Sequence, residues 1–157
     1  MIVVTGGAGF LGSNVVATLA ERGYSEIAVC DVFGEDDKWK NLGKRELAGI
    51  VSPDRFFDWL NKKLSEGVKF QAILHMGGIS STTERDADKI LDNNFYFSLR
   101  LWYWCSDNKV PFIYASSGST FGDGAQGFKD DGSLEYLSKL RPLNPYGWSK
   151  NLFDMRA

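Results

Sequence analysis

Tyr146 and Lys150 stand four residues apart in Asn144-Pro145-Tyr146-Gly147-Trp148-Ser149-Lys150. Asn144 reads as a helix N-cap and Pro145 as the first helical residue, so both side chains fall on one helix face. A phenol with an ordinary pKa of about 10 is a poor base at neutral pH, and an adjacent ammonium favours its phenolate. Tyr146 can then take the proton of an alcohol as hydride leaves the carbon, while a serine hydroxyl polarises the same oxygen. Ser116 and Ser117, directly after the apolar run Phe112 to Ala115, are the serines available for that task.

A Tyr/Lys pair at this spacing arises by chance in many helices, and the order of three signals gives it weight. The first is the N-terminal run Ile2-Val3-Val4-Thr5, which leads into Gly6-Gly7-Ala8-Gly9-Phe10-Leu11-Gly12 and then a helix-compatible stretch, Ser13 to Arg22. A strand, a glycine turn and a helix in succession read as a dinucleotide-binding signature. Glycines let the backbone approach a pyrophosphate, whose charge is met by the unpaired N–H groups of the helix N-terminus. The spacing Gly6, Gly9, Gly12 is G-x-x-G-x-x-G. Ile27 to Asp31 reads as a second strand ending in a carboxylate 19 residues beyond Gly12, where an adenosine ribose is expected. The competing reading of Asp31 is a solvated strand-end acid.

These groups need a frame. Elements alternate strand, helix, strand, helix, the pattern of a parallel sheet covered on both faces. After a charged, irregular stretch, Gly34 to Arg45, and a short apolar piece, Leu47 to Val51, a helix is predicted over Pro53 to Ser65 and a strand over Ala72 to His75, ending in Gly77-Gly78. A long helix over Ala87 to Asn108 carries two apolar stripes, one of Leu91, Phe95, Leu99 and Trp102, the other of Phe97, Leu101 and Trp104. Two stripes need two burial partners, the sheet and a second subunit or a chain segment outside this sequence. A strand over Phe112 to Ala115 precedes a glycine-rich loop holding Gly118, Gly122, Gly124, Gly127 and Gly132, suited either to covering a ligand or to simple mobility.

The chain of 157 residues is the size of one domain, 1–157, and its net charge of −2 gives no basic field for nucleic acid. No run approaches the roughly 20 apolar residues of a membrane span. The apolar N-terminus lacks preceding basic residues and meets Gly6 early, so it reads as a first strand rather than a signal peptide, and a cytoplasmic address follows. Cys30 and Cys105 read as reduced, packed thiols, and His75, the lone histidine, as a structural residue at a strand end; no metal site is expected.

T-G-G-A-G-F-L-G, D-N-N, S-S-x-x-x-F-G and N-P-Y-G-x-S-K all have counterparts in the extended short-chain dehydrogenase/reductases. Over nearly its whole length the chain resembles the sugar-nucleotide epimerase and dehydratase type of that family. Gly77-Gly78-Ile79-Ser80-Ser81-Thr82-Thr83-Glu84, Asp92-Asn93-Asn94 and Tyr114-Ala115-Ser116-Ser117 are most similar to its members that act on ADP-heptose. The resemblance implies that Ser117, Tyr146 and Lys150 are catalytic. It also places Phe10, Leu11, Asp31, Lys38, Met76, Gly77, Gly78, Ile79, Ser80 and Asn93 around the cofactor, with Gly6, Gly9 and Gly12 at its pyrophosphate and Tyr146 and Lys150 beside it. For Asn93 a plain helix-face amide is the alternative.

The implied reaction inverts C6 of the heptose in an ADP-sugar, through transient oxidation by a bound cofactor, for the lipopolysaccharide inner core. Two relatives in chemistry remain open, a UDP-hexose 4-epimerase or related NAD-dependent enzyme, and a non-catalytic dinucleotide-binding module. The resemblance points to NADP and to a homo-oligomer. Asp31 suits a ribose diol and repels a 2′-phosphate, which favours NAD, whereas Lys38 and Lys40 offset that charge. Pro53 stands where the family tends to have a cofactor-side lysine. Family members run to roughly twice this length. The expected fold is therefore a Rossmann-like, doubly wound parallel α/β sheet, truncated before its last strands, the substrate domain and a second catalytic lysine, and inactive by itself.

Overall fold

Five short apolar runs become the strands of one parallel sheet in a computed structural model that describes residues 1–157. They are β1 (Ile2–Thr5), β2 (Ile27–Cys30), β3 (Gly49–Val51), β4 (Ala72–His75) and β5 (Phe112–Tyr114), in the order β3-β2-β1-β4-β5. β1 pairs with β2 from Ile2↔Ile27 to Thr5↔Cys30 and with β4 from Ile2↔Ala72 to Thr5↔His75. Every residue of β1 and β2 is buried, as strands covered on both faces must be. This is the expected Rossmann-like sheet.

The chain forms two compact units, Met1–Gly77 with Cys105–Tyr114, and Gly78–Trp104 with Ala115–Ala157. The first holds the whole sheet. Its helix α1 (Phe10–Glu21) starts three residues before the predicted Ser13, because extended Gly9 serves as N-cap and the glycine turn feeds the helix directly. Val16 of α1 packs with Val4, Ile27 and Val29. The apolar piece Leu47 to Val51 supplies the edge strand β3, a strand too short to announce itself and formed by pairing with β2 at Ala28↔Gly49 through Cys30↔Val51. The irregular stretch contains a 3₁₀ turn, Asp37–Asn41, capped by Asp36. Pro53 opens another 3₁₀ turn before α2 (Phe56–Ser65), whose Phe56, Phe57 and Leu60 are buried.

In the second unit, α3 (Ala87–Ile90) continues through a π-helical segment, Leu91–Tyr96, into α4 (Phe97–Asp107), whose last turn belongs to the first unit. Leu101 and Trp104 are buried, whereas Leu91, Phe95, Leu99 and Trp102 are half-buried. The glycine-rich loop is structured: it contains the 3₁₀ turn Gly118–Phe121 and α5 (Leu134–Leu137), and the Tyr136 hydroxyl donates to Gly127 O at 2.7 Å. Helix α6 (Pro145–Asp154) begins at an Asn144 cap, as its sequence predicts, with Gly147 N–H donating to Asn144 Oδ1 at 2.8 Å. A β-carbon at Gly147 would fall 2.4 Å from Ser119 O, so glycine lets the first turn of α6 lie against the 3₁₀ turn.

No helix is long and apolar enough to cross a membrane.

Candidate functional site

In the first unit the glycine turn is shaped by backbone contacts that leave no room for side chains. A β-carbon on Gly12 would lie 2.1 Å from Gly6 O, and one on Gly6 would lie 2.6 Å from Gly77 Cα; Gly6 also has φ +64°, a conformation only glycine adopts readily. Gly9, with φ −72°, caps α1 without any side-chain hydrogen bond. The α1 N-terminus thus presents main-chain donors uncovered by a capping side chain, beside exposed Phe10 and Leu11.

Asp31 braces this turn. Its Oδ2 accepts from Ala8 N–H at 2.7 Å, and its Oδ1 accepts from Val32 N–H at 2.7 Å and Lys38 Nζ at 2.8 Å. Asn41 Nδ2 holds the other polar group of the same residue, donating to Ala8 O at 2.8 Å. The Asp31 side chain is only 9% exposed, which replaces the solvated strand-end reading with a carboxylate taken into the fold. Three bonds leave roughly one of a carboxylate's four acceptor positions open. Lys40 points to different partners, an ion pair with Asp37 at 2.7 Å and the Trp39 ring.

At the end of β4, Thr5 Oγ1 and His75 Nδ1 are 2.6 Å apart, both residues buried, and Gly77 N–H donates to the same Thr5 hydroxyl at 3.2 Å. His75 is thus buried against Thr5, and Thr5 holds the half-buried Met76-Gly77 turn, its carbonyl also accepting from Met76 N–H at 3.1 Å. Burial pushes the thiols of Cys30 and Cys105 up to about 12, with the Asp31 charge adding to the effect at Cys30, so both are inert, packed thiols.

In the second unit α6 carries half-buried Tyr146 and buried Lys150 one turn apart. Lys150 Nζ donates to Ala115 O at 2.8 Å, and burial pulls its pKa below the ordinary lysine value while the charge of Asp154 opposes that pull. The two serines have separate tasks. Ser116 Oγ donates to Asp154 Oδ2 at 2.6 Å, and Ser117 caps the following 3₁₀ turn, its Oγ accepting from Ser119 N–H at 3.1 Å. Ser117 therefore keeps its own proton for donation to another oxygen.

Asn93 is exposed, with a long 3.4 Å contact from its Nδ2 to Lys89 O. Its neighbour Asn94 is fully buried and ties Ile79 to Ser149, through an Ile79 N–H bond to Oδ1 at 2.7 Å and Nδ2 donation to Ser149 Oγ at 3.2 Å. Gly78, at φ +155°, passes close by: a β-carbon there would meet Asn94 Oδ1 at 3.1 Å and Lys150 Nζ at 3.8 Å. Ser80 is exposed. Asn94, Ser149, Thr5, Asn41 and Asp154 are site-building residues that sequence reasoning missed. Asn94 had a signal, a polar residue on the line Ile90, Asn94, Ser98, Leu101 that is otherwise set for burial.

The sequence profile of the NAD dependent epimerase/dehydratase family matches residues 2–156. A protein of Fusobacterium nucleatum named ADP-L-glycero-D-manno-heptose-6-epimerase is 46% identical over 98% of this chain and 46% of its own. The crystal structure of the Helicobacter pylori ADP-L-glycero-D-manno-heptose-6-epimerase aligns over 97% of this chain and 48% of that one, with a TM-score of 0.73 and 26% identity. That of the Thermus thermophilus UDP-glucose 4-epimerase in complex with NAD aligns over 99% and 49%, with a TM-score of 0.73 and 25% identity. The chain spans about half the length of the relatives it matches.

Proposed function

The chain belongs to the NAD-dependent epimerase/dehydratase family, and from that membership we propose that it forms the dinucleotide-binding and proton-transferring half of a sugar-nucleotide epimerase. The substrate we infer is ADP-D-glycero-D-manno-heptose, inverted at C6 to the L-glycero form for the lipopolysaccharide inner core. The observation that carries this reading is the 46% identity to a relative named for that reaction over 98% of the chain.

The glycine turn fits a dinucleotide: close backbone packing at Gly6 and Gly12 and the uncapped α1 N-terminus make a cradle for a pyrophosphate. When bound, the nicotinamide supplies the hydride acceptor and donor that a carbinol inversion with no net redox change requires. Gly6, Gly9, Phe10, Leu11 and Gly12 would hold the phosphates, Asp31 and Lys38 the adenosine end, and Met76 to Ser80 with Asn93 the remainder. The Lys38 ion pair supports NADP, because an ammonium 2.8 Å from Asp31 Oδ1 offsets the repulsion that a 2′-phosphate would meet there.

Tyr146 takes the C6 hydroxyl proton and later returns it. Lys150, held on Ala115 O, keeps a positive charge one turn away that lowers the cost of the phenolate. Ser117 donates its free proton to the same substrate oxygen. We assign the last strands, the substrate domain and a second catalytic lysine to the part of the relatives' length that this chain does not span. We propose that the 157 residues alone are inactive and that the complete protein works as a cytoplasmic homo-oligomer.

The test is C6 inversion of ADP-D-glycero-D-manno-heptose by the full-length protein, with Tyr146→Phe expected to lose about 10²-fold or more of turnover while retaining its dinucleotide. Turnover of UDP-glucose instead of the heptose would favour the hexose epimerase reading, and an unaffected Tyr146→Phe would reduce the chain to a binding module.

A further inference from the structure

Asp154 extends the α6 face that starts with Tyr146 and Lys150 by one further turn. Two consecutive turns of this helix hold two consecutive residues of the segment after β5: Lys150 Nζ donates to Ala115 O at 2.8 Å, and Asp154 Oδ2 accepts from Ser116 Oγ at 2.6 Å. Ser117 is the next residue. A single tie would leave the segment free to swing about its attachment, whereas two adjacent ties fix its direction as well as its position. The second is short and charge-assisted, which suits an exposed serine whose bond to a neutral partner would compete poorly with water.

We propose that Asp154 is a positioning residue for the reaction: through Ser116 it clamps Ala115–Ser117 to α6 and thereby sets the Ser117 hydroxyl relative to Tyr146. The inference rests on the reading in which Ser117 and Tyr146 serve one substrate oxygen. The same carboxylate has a second, separable effect, since its charge opposes the fall that burial imposes on the Lys150 pKa. Ser116 contributes to the clamp and carries no charge.

These two contributions make the experiment. In the full-length protein, Asp154→Asn and Ser116→Ala are each expected to lower kcat about tenfold, with KM and dinucleotide content unchanged, and the double variant to be no slower than Asp154→Asn. The alkaline limb of the kcat profile should move to lower pH in Asp154→Asn and stay in place in Ser116→Ala, and Asp154→Glu should restore most of the rate. Ser116 is exposed, so Ser116→Ala is a variant that folds. A Ser116→Ala protein within twofold of the parent kcat, or losses that multiply in the double variant, would overturn the clamp. Tyr146→Phe, assayed alongside, separates the two levels: its inactivity with a silent Ser116→Ala removes the clamp alone, and its full activity removes the underlying reading together with the clamp.

Discussion

Asn94 and Ile79 close a ring of two hydrogen bonds: Ile79 N–H donates to Asn94 Oδ1 at 2.7 Å, and Asn94 Nδ2 donates to Ile79 O at 2.9 Å. A side-chain amide here does what a neighbouring strand would do, satisfying both main-chain polar groups of one loop residue. The same Nδ2 reaches Ser149 Oγ, and Ser149 Oγ donates to Tyr146 O at 2.7 Å. Asn94 lies in the π-helical segment, where its own carbonyl is taken by Ser98 Oγ at 2.5 Å. A helix irregularity thus turns a buried amide toward the loop and helix α6 together.

Asn94→Asp should be costly at neutral pH and milder in acid. It keeps the acceptor for Ile79 N–H, loses the donors to Ile79 O and Ser149, and buries a charge at a site with no exposure. The expected destabilisation is about 3 kcal/mol at pH 7. Burial raises the folded-state pKa of the new carboxyl above its unfolded value of about 3.9, so the penalty shrinks as pH falls through that folded value and the acid regains a donor. Urea unfolding at pH 7 and at about pH 4 checks this, and an equal loss at both would sink it.

Gly12→Ala and Gly9→Ala should separate fold from ligand. The Gly12 β-carbon would meet Gly6 O, a backbone atom with little room to yield, at 2.1 Å, whereas the Gly9 β-carbon would meet the same atom at 3.3 Å. Gly12→Ala is therefore expected to cost about 3 kcal/mol or more of stability. Gly9→Ala should retain its melting temperature and lose about tenfold in dinucleotide affinity, because its methyl group would intrude on the proposed pyrophosphate site. Thermal unfolding with calorimetric titration of NADP reads both, and a Gly9→Ala protein with unchanged affinity would place the phosphates elsewhere.

Glu84 gives the loop before α3 a defined acid limit. Lys89 Nζ donates to its Oε2 at 2.8 Å and the N–H groups of Arg85 and Asp86 donate to its Oε1 at 2.9 and 3.1 Å. The lysine bond first, then the two N–H groups, hold its pKa down to about 2 from 4.5. A carboxyl lowered in the folded state stabilises fully above its unfolded value and loses that contribution as pH falls through the folded one. Amide-exchange protection at Arg85 and Asp86 should fade between about pH 4.5 and about pH 2 in the parent protein, after correction for intrinsic rates, and be low and flat across that range in Glu84→Gln.

The sheet was legible because its strands are short apolar runs cut by glycines and separated by periodic helices: β1 and β4 fall on the predicted residues, and β2 ends one residue early. β3 escaped because a three-residue edge strand is made by its partner rather than by its own pattern. Tyr146 and Lys150 were legible through local spacing on a capped helix. The supports were hidden, since Asp154 with Ser116, Asn94 with Ile79 and Asn41 with Ala8 are pairs separated by 38, 15 and 33 residues, joined only by the fold. Asp31 shows the boundary well. Its position at the strand end was readable, but its grip on Ala8 N–H and Lys38 depended on how the following turn folds back.

That grip leads to the prediction that separates the two cofactors. With Lys38 Nζ 2.8 Å from its Oδ1, Asp31 would present a compensated pair to the adenosine ribose of the proposed cofactor. Lys38→Met removes the ammonium and leaves the carboxylate uncompensated, still held by the Ala8 and Val32 N–H groups. Affinity for NADP should fall about tenfold or more, close to 1.4 kcal/mol, while affinity for NAD holds or rises, because a ribose diol can donate to the carboxylate and a 2′-phosphate cannot. Asp31→Asn should shift preference the other way, at some loss of stability through the weakened tie to Ala8 N–H. Calorimetric titration of both variants with both dinucleotides decides it: parallel losses of NAD and NADP binding in Lys38→Met would mean that Lys38 braces the turn without reading the phosphate.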